Sequence, residues 1–366
     1  MNVRISGLSA IAAVAILGLL GSAQSFAQNA YITNEADGTV SVIDTKTDRV
    51  IATIAVADHP YAVAISADDN RAYVTDDSGI EVINSASNKV TRRIALPGLT
   101  GTFLSSGLVV SPDGSKLYVS NPNNNLGNIT VINTDTLAVE ATIPLPITSY
   151  PGGTVLGPVV YPLGLAITPD GTQLYAAASQ IGRVPFAYGM AIDTRTDNYT
   201  TFGLPFFPGN DAEMAVSPDG ARLYVVANPH TLAVPFYSTA PDHAELGFLP
   251  VPFPFMGGFG LAISPDGSRI YVTAEGPTLM VFDAAANTLL EEIPIPSAIP
   301  VSGGVAVTPD GRKVYVINPR QSSVAVVDAA TYAITTTIPV GHDPVAFGNF
   351  IQAAPKFAGK PGSGNC

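Results

Sequence analysis

The stretch Leu261–Thr273, LAISPDGSRIYVT, decides the fold of this chain. It contains a short apolar strand, a turn over Pro265–Gly267 and a second strand that carries Tyr271. Proline presets φ and glycine accepts a positive φ, so the Pro-Asp-Gly turn predicts a tight reversal between the two strands. Two more strand patterns follow at Leu279–Asp283 and Leu289–Ile295. The unit therefore predicts four short antiparallel strands.

The same phrase recurs along the chain, which makes the sequence a repeat. Copies of Ser/Thr-Pro-Asp-Gly begin at Ser111, Thr168, Ser217, Ser264 and Thr308, and a degraded copy begins at Ser66. The second strand of each unit carries a tyrosine. These tyrosines stand 42 to 57 residues apart, at Tyr31, Tyr73, Tyr118, Tyr175, Tyr224, Tyr271 and Tyr315. Four short strands per unit, repeated seven times, predict an all-β fold, a seven-bladed β-propeller with four-stranded antiparallel blades.

The two ends of the repeat predict how the ring closes. The chain enters at a strand of the second type, Ala30–Asn34, so the first unit lacks its innermost strand. Residues 344–351 follow the last unit and have the pattern of an innermost strand without a unit of its own. We therefore expect the C-terminal strand to pair with the N-terminal blade, and the propeller to span residues 28–351.

The segments outside the propeller predict export. Residues 1–27 combine Arg4, an apolar run over Leu8–Leu20 and the small-x-small sequence Ser25–Ala27, which is typical of a signal peptide cleaved after Ala27. The mature protein is then expected in the periplasm or outside the cell, without membrane insertion. Residues 352–366 have the composition of a short disordered tail.

Composition and charge argue against several classes of function. The chain of 366 residues has 17 basic and 29 acidic residues, a net charge of −12, which disfavours nucleic acid and anionic membrane surfaces as partners. Its single cysteine, Cys366, forms no intramolecular disulfide and provides no Cys-x-x-Cys-His for haem. We find no Gly-x-Ser-x-Gly and no His-Glu-x-x-His, and we expect no cofactor.

Three second strands carry a family resemblance. They read Tyr73-Val74-Thr75-Asp76, Tyr118-Val119-Ser120-Asn121 and Tyr315-Val316-Ile317-Asn318, with Ser/Thr-Pro-Asp-Gly or its degraded copy before each of them. The chain resembles the YVTN-repeat β-propeller family over residues 30–351, and that family is similar to surface-layer and lactonase-type propellers. The resemblance implies the seven-bladed fold. It implies no catalytic residue, because the repeated positions are structural.

The strand order divides the loops between two faces of the ring. The turn face carries the loops between first and second strands and between third and fourth strands, which are short and uniform. The loop face carries the loops between second and third strands and those that connect blades, which vary in length and content. Variable loops on a rigid ring commonly bind or catalyse, so we expect the functional surface on the loop face.

Four polar residues are the candidates for catalysis or weak candidates for metal binding. His59 and His342 hold equivalent positions before two adjacent blades, and Asp211 and Glu213 precede the fifth inner strand. Imidazole and carboxylate ligands suit zinc, iron or manganese. The alternative is that these are rim residues bonded to their own neighbours, since no close metal-ligand spacing is present.

Further residues are predicted to contact a ligand on the loop face. The polar ones are Arg183, His230, Glu275 and Arg320, and the aromatic ones are Phe206, Phe207, Phe253, Phe255 and Phe259. Exposed aromatic clusters mark partner or ligand surfaces. The alternative is that these aromatic loops cap one another at the channel mouth. Asp76–Asp77 and Asn123–Asn125 are interpreted as turn residues, with calcium binding as the alternative.

Three hypotheses of function follow. The first is an exported binding module that presents an apolar, acid-rimmed loop face to a protein or small-molecule ligand. The second is a lactonase-type hydrolase or lyase that uses the histidine and carboxylate rim, with or without a metal. The third is a partner or electron-transfer subunit of a periplasmic enzyme. The sequence leaves open whether the protein is an enzyme.

Overall fold

Seven antiparallel sheets, each built from strands that follow one another in the chain, make up the protein. The computed structural model describes residues 28–66, 70–96, 107–122, 127–146, 159–181, 186–204, 212–227, 233–252, 258–274, 278–296 and 303–352. Six sheets have four strands, and the sheet nearest the N-terminus has three. The predicted seven-bladed propeller is confirmed.

The strands are numbered in chain order, and each blade runs from the inner to the outer edge of its sheet. Blades 1 to 3 consist of β1 Asn29–Asn34, β2 Thr39–Asp44, β3 Arg49–Ala55; β4 Val63–Ile65, β5 Arg71–Asp76, β6 Gly79–Asn84, β7 Lys89–Ala95; and β8 Leu108–Val110, β9 Lys116–Asn121, β10 Asn128–Asn133, β11 Val139–Pro144. Blades 4 and 5 consist of β12 Val159–Ile167, β13 Gln173–Ile181, β14 Phe186–Asp193, β15 Tyr199–Gly203; and β16 Ala212–Val216, β17 Arg222–Ala227, β18 Ala233–Ser238, β19 Glu245–Pro250. Blades 6 and 7 consist of β20 Gly258–Ile263, β21 Arg269–Ala274, β22 Thr278–Asp283, β23 Thr288–Pro294; and β24 Val305–Val307, β25 Lys313–Asn318, β26 Ser323–Asp328, β27 Ile334–Pro339.

Helical structure in the described residues is limited to single turns. Glu35–Asp37 and Pro319–Gln321 form 3-10 turns between the second and third strands of blades 1 and 7. Within the described ranges, no helix has the length and apolar character needed to cross a membrane.

The hydrophobic core lies between neighbouring blades. Second strands are covered on both faces, so β21 buries five consecutive residues, Ile270–Ala274. Outer strands bury much less: in β23, Ile293 is buried whereas Glu291 and Glu292 are exposed. The apolar clusters accordingly join residues of adjacent blades, such as Tyr271 of blade 6 with Val314 of blade 7. Each blade depends on its neighbours for burial of its apolar surface.

All seven repeated tyrosines are buried, with at most 1% of each exposed. Several of these tyrosines are each contacted by a turn residue of the following blade. Asn88 accepts a hydrogen bond from the Tyr31 hydroxyl at 3.4 Å, and the His243 ring lies 5.9 Å from the Tyr175 ring. These turn residues occupy the same left-handed position, with φ between 44° and 59°, at Asp48, Asn88, Leu137, Asp197, His243, Asn287 and Tyr332. The left-handed residue therefore directs its side chain to the seam between blades.

The Pro-Asp-Gly turns carry a repeated set of hydrogen bonds. In blade 6, Asp266 Oδ1 accepts from the Ser264 hydroxyl at 2.6 Å and from the Ser268 N–H at 3.0 Å. Ser264 Oγ accepts the Arg269 N–H at 2.9 Å, and Gly267, with φ +72°, donates to the Ser264 carbonyl at 2.8 Å. The same bonds recur in the turns that begin at Ser111, Thr168, Ser217 and Thr308. The repeated Ser/Thr, Asp and Gly are thus structural, as the sequence predicts.

Residues 344–351 close the ring against blade 1. The Val345 N–H donates to the Thr33 carbonyl at 3.0 Å, and the Tyr31 N–H donates to the Phe350 carbonyl at 2.8 Å. The segment differs from the expected strand, because it makes isolated bridges and contains Ala346 at φ 38° and Gly348 at φ 85°. These two residues turn the backbone out of the extended conformation, and the Phe347 carbonyl then accepts the N–H of Val63 in blade 2.

Candidate functional site

The loop face carries a histidine–aspartate pair at blade 2. His59 Nδ1 lies 2.7 Å from Asp77 Oδ2, and more than half of the His59 side chain is exposed. His59 precedes Pro60 and has a φ of 53°, which turns the blade-connecting loop towards the β5–β6 turn. The hydrogen bond and the charge of Asp77 raise the pKa of His59. The pair is a proton-responsive contact on the exposed rim.

A second pair lies at blade 1, where the two ends of the chain meet. His342 Nδ1 lies 2.9 Å from Asp37 Oδ1, and the His342 N–H donates to Asp37 Oδ2 at 2.8 Å. These two bonds lower the pKa of Asp37. The Gly341 N–H also donates to Asn34 Oδ1 at 3.1 Å. Each histidine thus holds the loop before a blade onto the second-to-third-strand turn of that blade.

The two histidines are offset by one residue, which corrects the sequence-based alignment. His59 and Asp343 directly precede the prolines Pro60 and Pro344, and both have a positive φ. His342 stands one position earlier and therefore reaches a different part of its turn. The two loops share a shape, whereas their side chains are placed differently.

Glu35 lies between the two pairs and was missed by the sequence analysis. It is half-buried, and its N–H donates to the Asp343 carbonyl at 3.0 Å. Burial raises the pKa of Glu35; the charges of Asp343 and Asp77 act in the same direction, whereas His59 opposes them. The signal that could have found it is its position directly after Asn34, which matches the position of Asp77 after Asp76.

Asp76 belongs to a buried charge group beneath this rim. Its side chain is fully buried, and Oδ1 accepts the Ser78 N–H at 2.8 Å and an Arg93 N–H at 3.3 Å. Arg93 Nε lies 3.8 Å from Glu81 Oε1, and burial together with Asp76 raises the pKa of Glu81. The bond to Ser78 is the bond that a turn aspartate makes, which favours the turn interpretation of Asp76.

Glu213 lies apart from the exposed rim. It is buried, with Oε2 accepting the Leu261 N–H at 2.7 Å and Oε1 accepting the Gly348 N–H at 3.1 Å. Burial raises the pKa of Glu213 to about 8, although both hydrogen bonds lower it. Gly348 itself lies against the carbonyls of Val63 and Leu108. Glu213 therefore joins blade 5 to blade 6 and to the closing segment of blade 1.

Three of the four candidate hydrolase residues, His59, His342 and Glu213, are described, and each has its own hydrogen-bond partners. Among the described residues, no group of three or more His, Cys, Asp or Glu side chains could hold a metal ion. His59 and His342 each bind a separate aspartate, and Glu213 binds backbone N–H groups. This arrangement matches the alternative of rim and interior residues bonded to their own neighbours.

Arg320 is described and exposed, in the 3-10 turn of blade 7 on the loop face. The other predicted site residues lie outside the described residues: Asp211, Arg183, His230, Glu275, Phe206, Phe207, Phe253, Phe255, Asn123–Asn125 and the side chain of Phe259. Their roles stay predictions. The described aromatic pair on this face is Tyr61 and Phe347, which stack with ring centroids 5.3 Å apart.

Comparison with known proteins supports the fold. No protein-family model matches the chain. The seven-bladed beta-propeller protein Rv1057 of Mycobacterium tuberculosis (strain ATCC 25618 / H37Rv) is 37% identical over 115 residues. That match spans 30% of this chain and 28% of the length of that curated relative. Membership of the YVTN-repeat family stays a prediction.

Two solved structures share the architecture. A chain of the hydrazine synthase of Kuenenia stuttgartiensis aligns with a TM-score of 0.67 and 20% identity, over 82% of this chain and 92% of that chain. The dihydro-heme d1 dehydrogenase NirN, in complex with DHE, aligns with a TM-score of 0.61 and 15% identity, over 87% of this chain and 74% of that chain. At these identities the likeness concerns the propeller fold.

Proposed function

We propose that this chain is an exported binding module whose loop face, at the junction of blades 1 and 2, docks a protein partner with a basic surface. The observation that carries the proposal is the concentration of carboxylates around the two histidine pairs. It comprises Glu35, Asp37, Asp58, Asp77 and Asp343. The net charge of −12 also favours a basic partner, because it attracts positively charged molecules over long range.

The stacked rings of Tyr61 and Phe347 supply the apolar part of this surface. Both are half-buried, and Tyr61 follows His59 and Pro60 in the same loop. Lysine and arginine side chains combine an apolar stem with a charged end, so an aromatic pair beside carboxylates suits them. The Phe-rich loops at Phe206, Phe207, Phe253, Phe255 and Phe259 would extend the apolar contact.

The proposal is tested by photo-crosslinking in the source cells. A photoreactive residue replaces Ala36, which is exposed on the loop face, and in a matched variant Ala285, which is exposed on the turn face. We expect a discrete protein adduct from position 36 and none from position 285. Adding Asp58→Lys should abolish the adduct, whereas Asp135→Lys, an exposed change of equal charge on the turn face, should leave it.

Three results would overturn the proposal. The first is an adduct of equal yield from both positions, and the second is an adduct that tolerates Asp58→Lys. The third is turnover of a lactone panel that is lost in His59→Ala and His342→Ala, which would favour the hydrolase.

A further inference from the structure

A cleft lies on the turn face, the face opposite to the one that carries the proposed docking surface. It is a cleft of about 620 Å³ between the Pro-Asp-Gly turns of blades 6 and 7 and the turn after β26. Its lining includes Arg269, Tyr271 and Tyr332. A volume of this size falls in the range of small-molecule sites.

The cleft occurs where a repeated contact between blades is replaced. At other seams, the long side chain that begins the second strand donates to a backbone carbonyl in the next blade. Arg222 Nη1 reaches the Ala284 carbonyl at 2.8 Å, and Lys313 Nζ reaches the Thr45 carbonyl at 2.8 Å. Arg71 and Lys116 make the same kind of bond. These bonds draw the turn of the next blade onto the seam.

Arg269 holds the corresponding position in blade 6 and bonds differently. Its Nε donates to the Tyr332 hydroxyl at 3.3 Å. Its Nη1 turns back to the Ser268 carbonyl at 2.9 Å and to Asp283 Oδ2 at 3.2 Å, both in its own blade. The guanidinium thus lines the cleft and meets a side chain of blade 7, where the other long side chains meet a backbone carbonyl of the next blade.

Two residues of blade 7 depart from the repeat at this seam. Tyr332 stands where blade 1 has Asp48, which pairs with Lys313 at 2.7 Å. Ala329 stands where blades 3 to 5 have Thr134, Thr194 and Thr239, whose hydroxyls bond the glycine carbonyls of their Pro-Asp-Gly turns at 2.5 to 2.6 Å. Ala329 lacks the hydroxyl for such a bond to Gly311. Ala284 lacks this hydroxyl in blade 6 as well, and Arg222 keeps the repeated bond there, so Tyr332 is the residue that distinguishes the seam between blades 6 and 7.

The charges around this space favour a cation. The lining contains the carboxylates of Asp266, Asp310 and Asp328, while Asp283 balances Arg269 from outside it. Arg312 lies 3.9 Å from Asp310 and is mostly exposed. The hydroxyls of Ser264 and Ser268 and the Ser268 N–H hold the pKa of Asp266 at about 2, so this carboxylate is ionised at neutral pH.

We infer that the cleft between blades 6 and 7 binds a small organic cation with a flat ring, an arylamidine. The ring would stack on the phenol of Tyr332, as aromatic pairs do. The charged end would meet the carboxylates at the rim. This site is independent of the docking surface on the loop face.

The inference is tested with three probes of nearly equal shape and different charge. Benzamidine is cationic, benzamide is neutral and benzoate is anionic. The methyl resonance of Ala330, which lines the cleft, reports binding in the protein labelled with ¹³C-methyl alanine. We expect benzamidine to bind at least tenfold more tightly than either of the other two.

A variant that restores the repeat should close the cleft. The double change Ala329→Thr and Tyr332→Asp gives blade 7 the threonine and aspartate of blade 1, and should weaken benzamidine at least tenfold without lowering the melting temperature. The matched control Ala284→Thr and Asn287→Asp makes the same kind of change in blade 6, at the seam with blade 5, and should leave binding unchanged. The inference is overturned by no shift of the Ala330 signal, by benzamide or benzoate binding as well as benzamidine, or by full binding in the restored variant.

Discussion

The turn face and the loop face both use aspartates, but the aspartates of the two faces bond to different partners. On the turn face, aspartates such as Asp266 accept bonds from their own turn, and the same bonds recur from blade to blade. On the loop face, Asp77 and Asp37 bind His59 and His342, which come from the loops that lead into their blades. Repeated contacts build the ring. Contacts that occur in one or two blades are where specialised surfaces arise.

The seam between blades 6 and 7 shows the same distinction within the turn face. Where Lys313 makes the repeated bond to the Thr45 carbonyl and also pairs with Asp48, blades 7 and 1 are joined directly. Where Tyr332 replaces that aspartate, a cleft is present. A departure from the repeat therefore marks a candidate site even on the uniform face.

The largest loss of stability is expected from removing the closing segment, residues 344–351, which bonds to blades 1 and 2. A chain that ends at Asp343 loses the backbone bonds to Tyr31, Thr33 and Val63, together with the buried Phe350 and Ile351. Burial of two such side chains contributes about 1.5–3 kcal/mol each. We expect cooperative thermal unfolding, measured by calorimetry, to be lost. A chain that ends at Gln352 is the control, and equal melting of the two shortened chains would contradict the closure.

The second largest effect is expected from replacing Glu213, which should reduce the dependence of stability on pH. Its pKa of about 8 in the folded protein lies above the ordinary value of 4.5, so the unfolded chain loses this proton first as pH rises. Its contribution is full below pH 4.5 and is lost by about pH 8, a change on the order of a few kcal/mol. Urea unfolding across this window should show less pH dependence in Glu213→Gln than in the parent.

Glu291→Gln is the control for this measurement, because Glu291 is exposed on an outer strand. It should leave the pH dependence of the parent unchanged. Parallel pH profiles for the parent and Glu213→Gln would show that Glu213 does not carry the effect.

A smaller effect is expected from the repeated turn itself. Gly220 has φ +74°, and a Cβ there would meet Pro169 Cδ at an ordinary 3.6 Å, so Gly220→Ala strains the backbone without a clash. We expect the free energy of unfolding to fall by about 1–2 kcal/mol. Gly203→Ala, where nothing lies within 4 Å and φ is not in the left-handed region, should cost nothing. Equal losses in the two variants would refute the role of the positive φ.

The smallest effect tests the loop face. Asp77→Asn removes the charge that raises the pKa of His59, so the His59 pKa should fall towards its ordinary value of 6.5 in an NMR titration. Asp37→Asn, which removes the partner of the other histidine, should leave the His59 titration nearly unchanged. A His59 pKa that is insensitive to Asp77→Asn would mean that the pair does not form in solution.

The fold could be predicted because its determinants are local and repeated. Each Ser/Thr-Pro-Asp-Gly turn bonds mainly within six residues, and each repeated tyrosine occupies the same buried place in its blade. The closing segment was predicted in position but not in shape, since Ala346 and Gly348 leave the extended conformation to meet residues from three other blades.

The site was less predictable, because its contacts join distant parts of the chain. His59 and His342 were recognised by their chemistry, whereas Asp37 lies in a 3-10 turn that no spacing rule singles out, and Glu35 is marked only by its place after Asn34. Glu213 was expected on the rim with the histidines. Its long side chain instead reaches backbone N–H groups of two other blades, and only the assembled ring brings these together.

The bond from the Gln352 N–H to the Asn29 carbonyl, at 2.9 Å, has a consequence for how the protein assembles. It joins the first and last strands of the ring, so nearly the whole chain lies between its two partners. Closing so long a loop has the highest entropic cost of any contact in the fold. Six blades can therefore form and stack while the ring is still an open arc, and the closing segment, residues 344–351, then joins the arc into a ring.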